Sequence, residues 1–378
     1  MAKNSLSVIV KPTHDCNLAC KYCYLGENAG EGRMNYETLK NMIQQLLTLP
    51  DRERIHFIWH GGEPLLMGRD FYEEAVRLQD KYRNNRVVEN AIQTNGTLIN
   101  DDILDFCEEH EFNVGSSIDG PKEIHDRVRV YPDEKGSFED AWSGLMKVRE
   151  RSKHLRESGK KKWPRGGAIA VLSKANIGEI ERVYAFFRGN NITVKMNPLI
   201  KSGRAKEHHD LAIGPLEYGT ALVKVFDEWF NEENAGIDVE PLSMILGNLM
   251  TGKPVGCNFG DSCREGFISV GPKGEIYPCG RFDRVEEFRL GNVNEEGLQR
   301  ALDLQEERIE RENRSNSAGC RNCDYSNICN AGCMHSAFMR RGNPMDKDYY
   351  CASYRVLFKH LEKALDKELE GVPEGTNK

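Results

Sequence analysis

The chain lacks any apolar run long enough to span a bilayer. Its N-terminus, MAKNSLSVIVKP, carries too short an apolar stretch for a signal peptide. It also lacks a basic excess. With a net charge of -7 and a pI near 5.9, it does not read as a general nucleic-acid binder. No internal repeat and no low-complexity segment occurs along its 378 residues. These absences point to a cytoplasmic protein with a buried core and two or three domains, and they leave membranes and nucleic acids out as partners.

What is present is cysteine. Twelve thiols in a reducing compartment are expected to hold metal or to do redox chemistry rather than to form disulfides. They fall into groups. THDCNLACKYCYL places Cys16, Cys20 and Cys23 on one short stretch. Cys257, Cys263 and Cys279 follow much later, with Gly274 four intervening residues before Cys279. Cys320, Cys323, Cys329 and Cys333 form C-x2-C-x5-C-x3-C, and Cys351 and Cys107 stand alone. Four thiolates suit either a closed structural zinc site or an iron–sulfur cluster, so the third group alone leaves both open. Three thiolates suit zinc poorly, and His14 is badly placed as a fourth ligand. They suit a [4Fe–4S] cluster with one iron open to a ligand. Cys107, beside Phe106 in DILDFCEEH, reads as a buried helical thiol.

Strand patterns at 7–10, 55–59, 87–94, 112–118, 168–172 and 192–198 alternate with helical ones. Leu39, Met42, Ile43, Leu46 and Leu47 share one helical stripe; further helices are expected at 70–84, 101–110, 137–152 and 177–188. Alternation of this kind predicts an α/β fold with a parallel sheet and six units, a partial (β/α)6 TIM-like barrel. We divide the chain into that barrel at 1–232, a bridge at 233–256 and a small cysteine-rich module at 257–370. The module ends in an amphipathic helix at 355–369 that turns Val356, Leu357, Leu361, Ala364 and Leu365 toward a partner surface. The basic run of Lys160, Lys161 and Lys162 reads either as a solvated loop or as a dock for an acidic peptide.

C-x3-C-x-Tyr-C after the first strand resembles the radical S-adenosylmethionine (radical SAM) enzymes. The later cysteines resemble the SPASM domain of their peptide-modifying branch, element by element from Cys257 to Cys351. The resemblance implies three [4Fe–4S] clusters and bound S-adenosylmethionine, with Cys16, Cys20 and Cys23 holding the first cluster. Cys257, Cys263, Cys279 and Cys333 would hold one auxiliary cluster; Cys320, Cys323, Cys329 and Cys351 would hold the other. In the family, the open iron binds the cofactor and a 5′-deoxyadenosyl radical takes hydrogen from the substrate.

The same resemblance places several residues at the cofactor. WHGGEPL supplies Gly61, Gly62 and Glu63, with Glu63 near the cofactor ammonium, and QTNGTLI supplies Gln93. SSIDGPKEIHDRVR supplies Ser117 at the ribose, with Arg129 or Asp119 at the charged end. Tyr22 would shield the cluster or touch adenine, and Leu199 would pack on adenine. The partners implied are a precursor peptide or protein and a reducing partner such as flavodoxin or ferredoxin.

The resemblance extends to anaerobic sulfatase maturases and to maturases that cross-link ribosomally made peptides. In the former an aspartate follows the cysteine of Y-P-C; here Gly280 follows Cys279 and Asp283 is displaced, so that it is expected to point elsewhere. That departure makes a carbon–carbon (cyclophane-type) or thioether cross-link the leading expectation. Formylglycine formation on Ser or Cys, or peptide epimerisation, is the alternative. The first strand begins by residue 7, which leaves no room for an N-terminal leader-binding winged helix.

Overall fold

The computed structural model describes residues 4–26, 32–159, 166–231, 236–260, 266–311 and 319–370. In chain order the first half runs β1 (Ser5–Val10), α1 (Tyr36–Thr48), β2 (Arg54–Trp59), α2 (Arg69–Tyr82), β3 (Val87–Thr94), α3 (Asp101–Glu109), β4 (Asn113–Ser117), α4 (Lys122–His125), α5 (Phe138–Glu157) and β5 (Ala168–Leu172). It continues with α6 (Ile180–Gly189), β6 (Val194–Pro198), α7 (Pro215–Phe230), β7 (Val239–Glu240) and α8 (Leu242–Thr251). Then come β8 (Phe267–Val270), β9 (Glu275–Tyr277), β10 (Gly291–Asn292), α9 (Leu298–Arg311), α10 (Ser326–Cys329), α11 (Met334–Arg341) and α12 (Cys351–Glu370). All six expected strands and the helices between them are present.

The chain divides into two compact units. The first comprises Met1–Ala170, Lys201–His209 and Ser262–Glu312. Its sheet follows the order β10-β9-β8-β1-β2-β3-β4 and the start of β5. Strands β1 to β5 pair parallel, β8 adds a parallel neighbour to β1, and β9 and β10 turn back antiparallel. The predicted stripe of α1 is buried from Leu39 to Leu47, and Asn35 caps the helix by accepting the Thr38 N–H at 2.8 Å. Trp59, Phe71, Tyr72, Phe106 and Phe112 pack edge-to-face around α2 and α3. Cys107 is fully buried there, and burial raises its thiol to about 12.

The second unit comprises Val171–Ile200, Asp210–Asp261 and Asn313–Lys378. Strands β6 and β7 pair parallel within it. Helix α12 crosses α7 closely: a Cβ on Gly219 would stand 2.8 Å from the Ser353 Cα. Helix α12 begins at Cys351, before the expected start. Its inner face is Tyr354, Leu357, Phe358 and Leu361, whereas Val356 is 36% exposed, contrary to the sequence expectation. Residues 354, 357, 358 and 361 follow the helical repeat, and position 356 falls off that stripe.

Candidate functional site

The first site is built on the loop after β1, in the first unit. Cys16, Cys20 and Cys23 are half-buried free thiols. Burial pushes Cys16 up to about 12, with smaller contributions from the charges of Cys20, Glu63 and Cys23; Cys20 is raised to about 11, chiefly by burial. The three sulfurs therefore lie within electrostatic reach of one another. The Leu18 N–H points at the Cys16 Sγ at 3.4 Å, and the Asn95 amide approaches it at 3.8 Å.

Two glycines fit WHGGEPL against this loop. Gly61 has φ of +126°, and a Cβ there would stand 2.5 Å from the Thr13 carbonyl oxygen. A Cβ on Gly62 would stand 2.2 Å from the Asp15 carbonyl oxygen. The Gly62 and Glu63 N–H groups donate to the Thr13 and Asp15 carbonyls at 3.1 and 2.8 Å. The close approach that glycine permits is to the cysteine loop itself. Replacing Gly62 with alanine should push residues 13–16 aside, cost about 1–3 kcal/mol, and lower the iron bound at the first site, as read by iron analysis of the reconstituted protein.

Glu63 is fully buried and accepts from the Leu65 N–H, the Thr94 hydroxyl and the Asn95 N–H at 3.0, 2.7 and 2.8 Å. Burial raises its carboxyl to about 7, against those three donors. A carboxyl raised in this way stays protonated in the folded chain while the unfolded chain ionises. Its contribution is therefore full below about pH 4.5 and is lost as pH rises to about 7, roughly 3 kcal/mol in all. Urea unfolding of wild type and Glu63→Gln between those pH values should show the steeper decline in wild type.

The opposite side of the loop is braced by residues 119–130. Ala19 and Lys21 donate their N–H groups to the Val130 and Val128 carbonyls at 2.7 and 2.9 Å. Arg129 donates through Nε and Nη2 to both carboxylate oxygens of Asp119, at 3.0 and 3.3 Å. The Tyr22 hydroxyl donates to the same carboxylate, and the guanidinium lies 5.4 Å from the Tyr22 ring centre. All three side chains are buried. Arg129 and Asp119 thus face each other behind the cysteine loop. Gln93 donates to the Ser117 Oγ at 3.1 Å. Leu199, in the second unit, is buried; its N–H and C=O are taken by Leu172 and Tyr350.

Asp283 overturns its expectation. Instead of pointing elsewhere, its Oδ2 accepts from Lys11 Nζ and contacts His14 Nε2, both at 2.8 Å. Lys11 is fully buried, donates also to the Gly280 carbonyl at 2.6 Å and lies 4.8 Å from the Tyr24 ring centre. Although Asp283 is buried, Lys11 and His14 hold its carboxyl far below the usual range. The tight turn after Cys279, where Phe282 donates its N–H to the Cys279 carbonyl, shifts the carboxylate back toward the loop. Sequence spacing did not reveal this, because β9 and β8 carry the segment to the edge of β1.

In the second unit, Cys320, Cys323, Cys329 and Cys351 line one cavity with Tyr325 and Phe358. Burial raises the Cys329 thiol, and the charges of Asp348, Cys351, Cys320 and Cys323 raise it further. Asp348 accepts from the Cys333 N–H, the Ser336 hydroxyl and the Tyr350 N–H at 2.7, 2.7 and 2.6 Å, tying α11 to the start of α12. Cys333 does not line the cavity. Cys257 and Cys333 belong to the second unit and Cys279 to the first. Cys263 and the basic run at 160–165 lie outside the described residues. Among the described residues, no three His, Cys, Asp or Glu side chains converge on a point that one ion would occupy.

A family profile described as the radical SAM superfamily matches residues 10–186, and one described as the SPASM iron–sulfur cluster-binding domain matches 262–324. The chain is 29% identical over 388 residues to the serine-type anaerobic sulfatase-maturating enzyme of Bacteroides thetaiotaomicron, covering 96% of this chain and 90% of that one. It is 28% identical to the cysteine-type enzyme of Clostridium novyi, covering 95% and 96%. Among solved structures it is similar to native anSMEcpe with bound AdoMet and Cp18Cys peptide, with TM-score 0.80, 25% identity, and 97% and 100% of the two chains covered. Among the described residues no helix is long and apolar enough to cross a membrane. The chain is a radical SAM enzyme that carries a SPASM iron–sulfur cluster-binding domain.

Proposed function

We propose that this enzyme is an anaerobic sulfatase maturase, oxidising one seryl or cysteinyl side chain of a protein substrate to formylglycine. The observation that carries this reading is its likeness, over nearly its whole length, to sulfatase-maturating enzymes of both serine and cysteine types. That likeness favours formylglycine formation over the cross-link expected from Gly280.

Bound S-adenosylmethionine and [4Fe–4S] clusters supply hydrogen abstraction and electron acceptance when present. The chain's own residues position them. Cys16, Cys20 and Cys23 would hold the first cluster, and Cys320, Cys323, Cys329 and Cys351 an auxiliary one; the resemblance to the SPASM domain implies a second auxiliary cluster on the remaining family cysteines. Gly61 and Gly62 fix the loop, and Glu63, Gln93, Ser117 and Tyr22 would line the cofactor's place. Arg129 and Asp119 would hold the loop from behind. A flavodoxin or ferredoxin in the cytoplasm would deliver the electron.

The test is anaerobic incubation with reductant, S-adenosylmethionine and sulfatase-derived peptides carrying Ser or Cys, followed by tandem mass spectrometry. Conversion confined to one residue, trapped by an aldehyde reagent, supports the proposal. Loss of two hydrogens with fragmentation blocked between two residues would favour cross-linking instead. Solvent deuterium at an α-carbon with unchanged connectivity would favour epimerisation.

A further inference from the structure

Residues 201–209 belong to the first unit and press against the cysteine loop through their backbone. Arg204 donates its N–H to the Cys23 carbonyl at 2.9 Å. Gly203 has φ of +54°, and a Cβ there would stand 2.3 Å from the Cys23 carbonyl oxygen and 2.5 Å from that of Tyr24. Only glycine permits this approach, so the backbone of 203–204 is fixed beside the last of the three thiols.

Two side-chain donors in this clamp are buried and have no hydrogen-bond partner among the described residues: the Arg204 Nε and the Ser202 Oγ. The contrast with Arg129 is direct. Both arginines adjoin the cysteine loop, yet Arg129 pairs through two nitrogens with the Asp119 carboxylate. Arg204 has no such carboxylate among the described residues. A guanidinium offers donors and no acceptor, and here the Nε donor is the one closed off from solvent. Buried donors without acceptors are few in folded chains and call for a specific explanation.

We propose that Arg204, together with Ser202, takes a carboxylate of the molecule bound at the cysteine loop. A planar cation with fixed donors matches that group, and the resulting charge-assisted bonds are stronger than neutral ones. Two carboxylates come to this place under the function proposed above: that of S-adenosylmethionine and that of an acidic residue in the substrate. The inference rests on that reading only for the identity of these ligands.

The experiment measures dissociation constants on the reconstituted full chain under anaerobic conditions. The probes are S-adenosylmethionine and its decarboxylated form, and a sulfatase-derived peptide with free or amidated acidic side chains. Arg204→Gln should weaken one carboxylate-bearing probe by about 10- to 100-fold. Its carboxylate-free counterpart should bind wild type and variant alike. Arg204→Lys, which keeps charge but not the fork, should fall between. The probe that responds identifies the source of the carboxylate. Equal loss for both members of a pair, or no loss for any probe, would overturn the proposal. Should Arg204→Gln fail to load iron, Ser202→Ala and Arg204→Lys carry the same paired comparison. Absence of formylglycine would count against the maturase reading and leave the cofactor pair of measurements intact.

Discussion

Replacing Cys16, Cys20 and Cys23 together with alanine is expected to abolish cleavage of S-adenosylmethionine and to lower bound iron from about twelve to about eight per chain, four for each [4Fe–4S] cluster. The three thiols lie on one loop of the first unit, while Cys320, Cys323, Cys329 and Cys351 line a separate cavity in the second. Removing the first set leaves the second set's support untouched, since Asp348 and the start of α12 hold it. Iron and sulfide analysis with chromatography of 5′-deoxyadenosine reads both effects. Residual cleavage would mean that the reactive cluster sits elsewhere, and loss of all iron would mean that the sets do not load independently.

The largest effect on stability is expected from Asp119→Ala. Its carboxylate is fully buried and accepts from Arg129 twice and from Tyr22. Truncating it strands a buried guanidinium against the cysteine loop, a change that typically costs about 3–5 kcal/mol. Cys20 would also feel that charge unopposed, because Arg129 already lowers its thiol pKa in part. The urea midpoint should fall well below that of an exposed-pair control such as Glu74→Ala, where the partner Arg77 stands in solvent and little is at stake. A midpoint unchanged from wild type would show that the ion pair does not brace the loop.

Much of this was legible in the sequence because strong periodicities carry it. The six strands and the α1 stripe follow from alternation and helical spacing. Spacing grouped Cys333 with Cys320, Cys323 and Cys329; the resemblance to the SPASM domain is what set Cys351 beside those three, and these four line one cavity. What the sequence hid depends on contacts between distant segments. FISV is too short for its period to declare a strand, yet it lies parallel to β1 and brings the 279–283 turn to Lys11 and His14. Arg129 and Asp119 read as charged loop residues; only the fold shows them paired and buried. The GGE segment was visible as a motif, but the backbone it packs against, residues 13–15, was not. Arg204 carries no motif that spacing would single out, since its meaning comes from the Cys23 carbonyl beside it.

Under the function proposed above, this chain directs a cofactor-derived radical to one side-chain carbon of a protein substrate. The most direct test is a sulfatase-derived peptide whose target Ser or Cys bears deuterium at Cβ, turned over anaerobically with reductant and S-adenosylmethionine. Deuterium is expected in the 5′-deoxyadenosine released, together with formylglycine at the labelled residue. 5′-Deoxyadenosine free of deuterium beside a modified peptide, or modification without any 5′-deoxyadenosine, would contradict it.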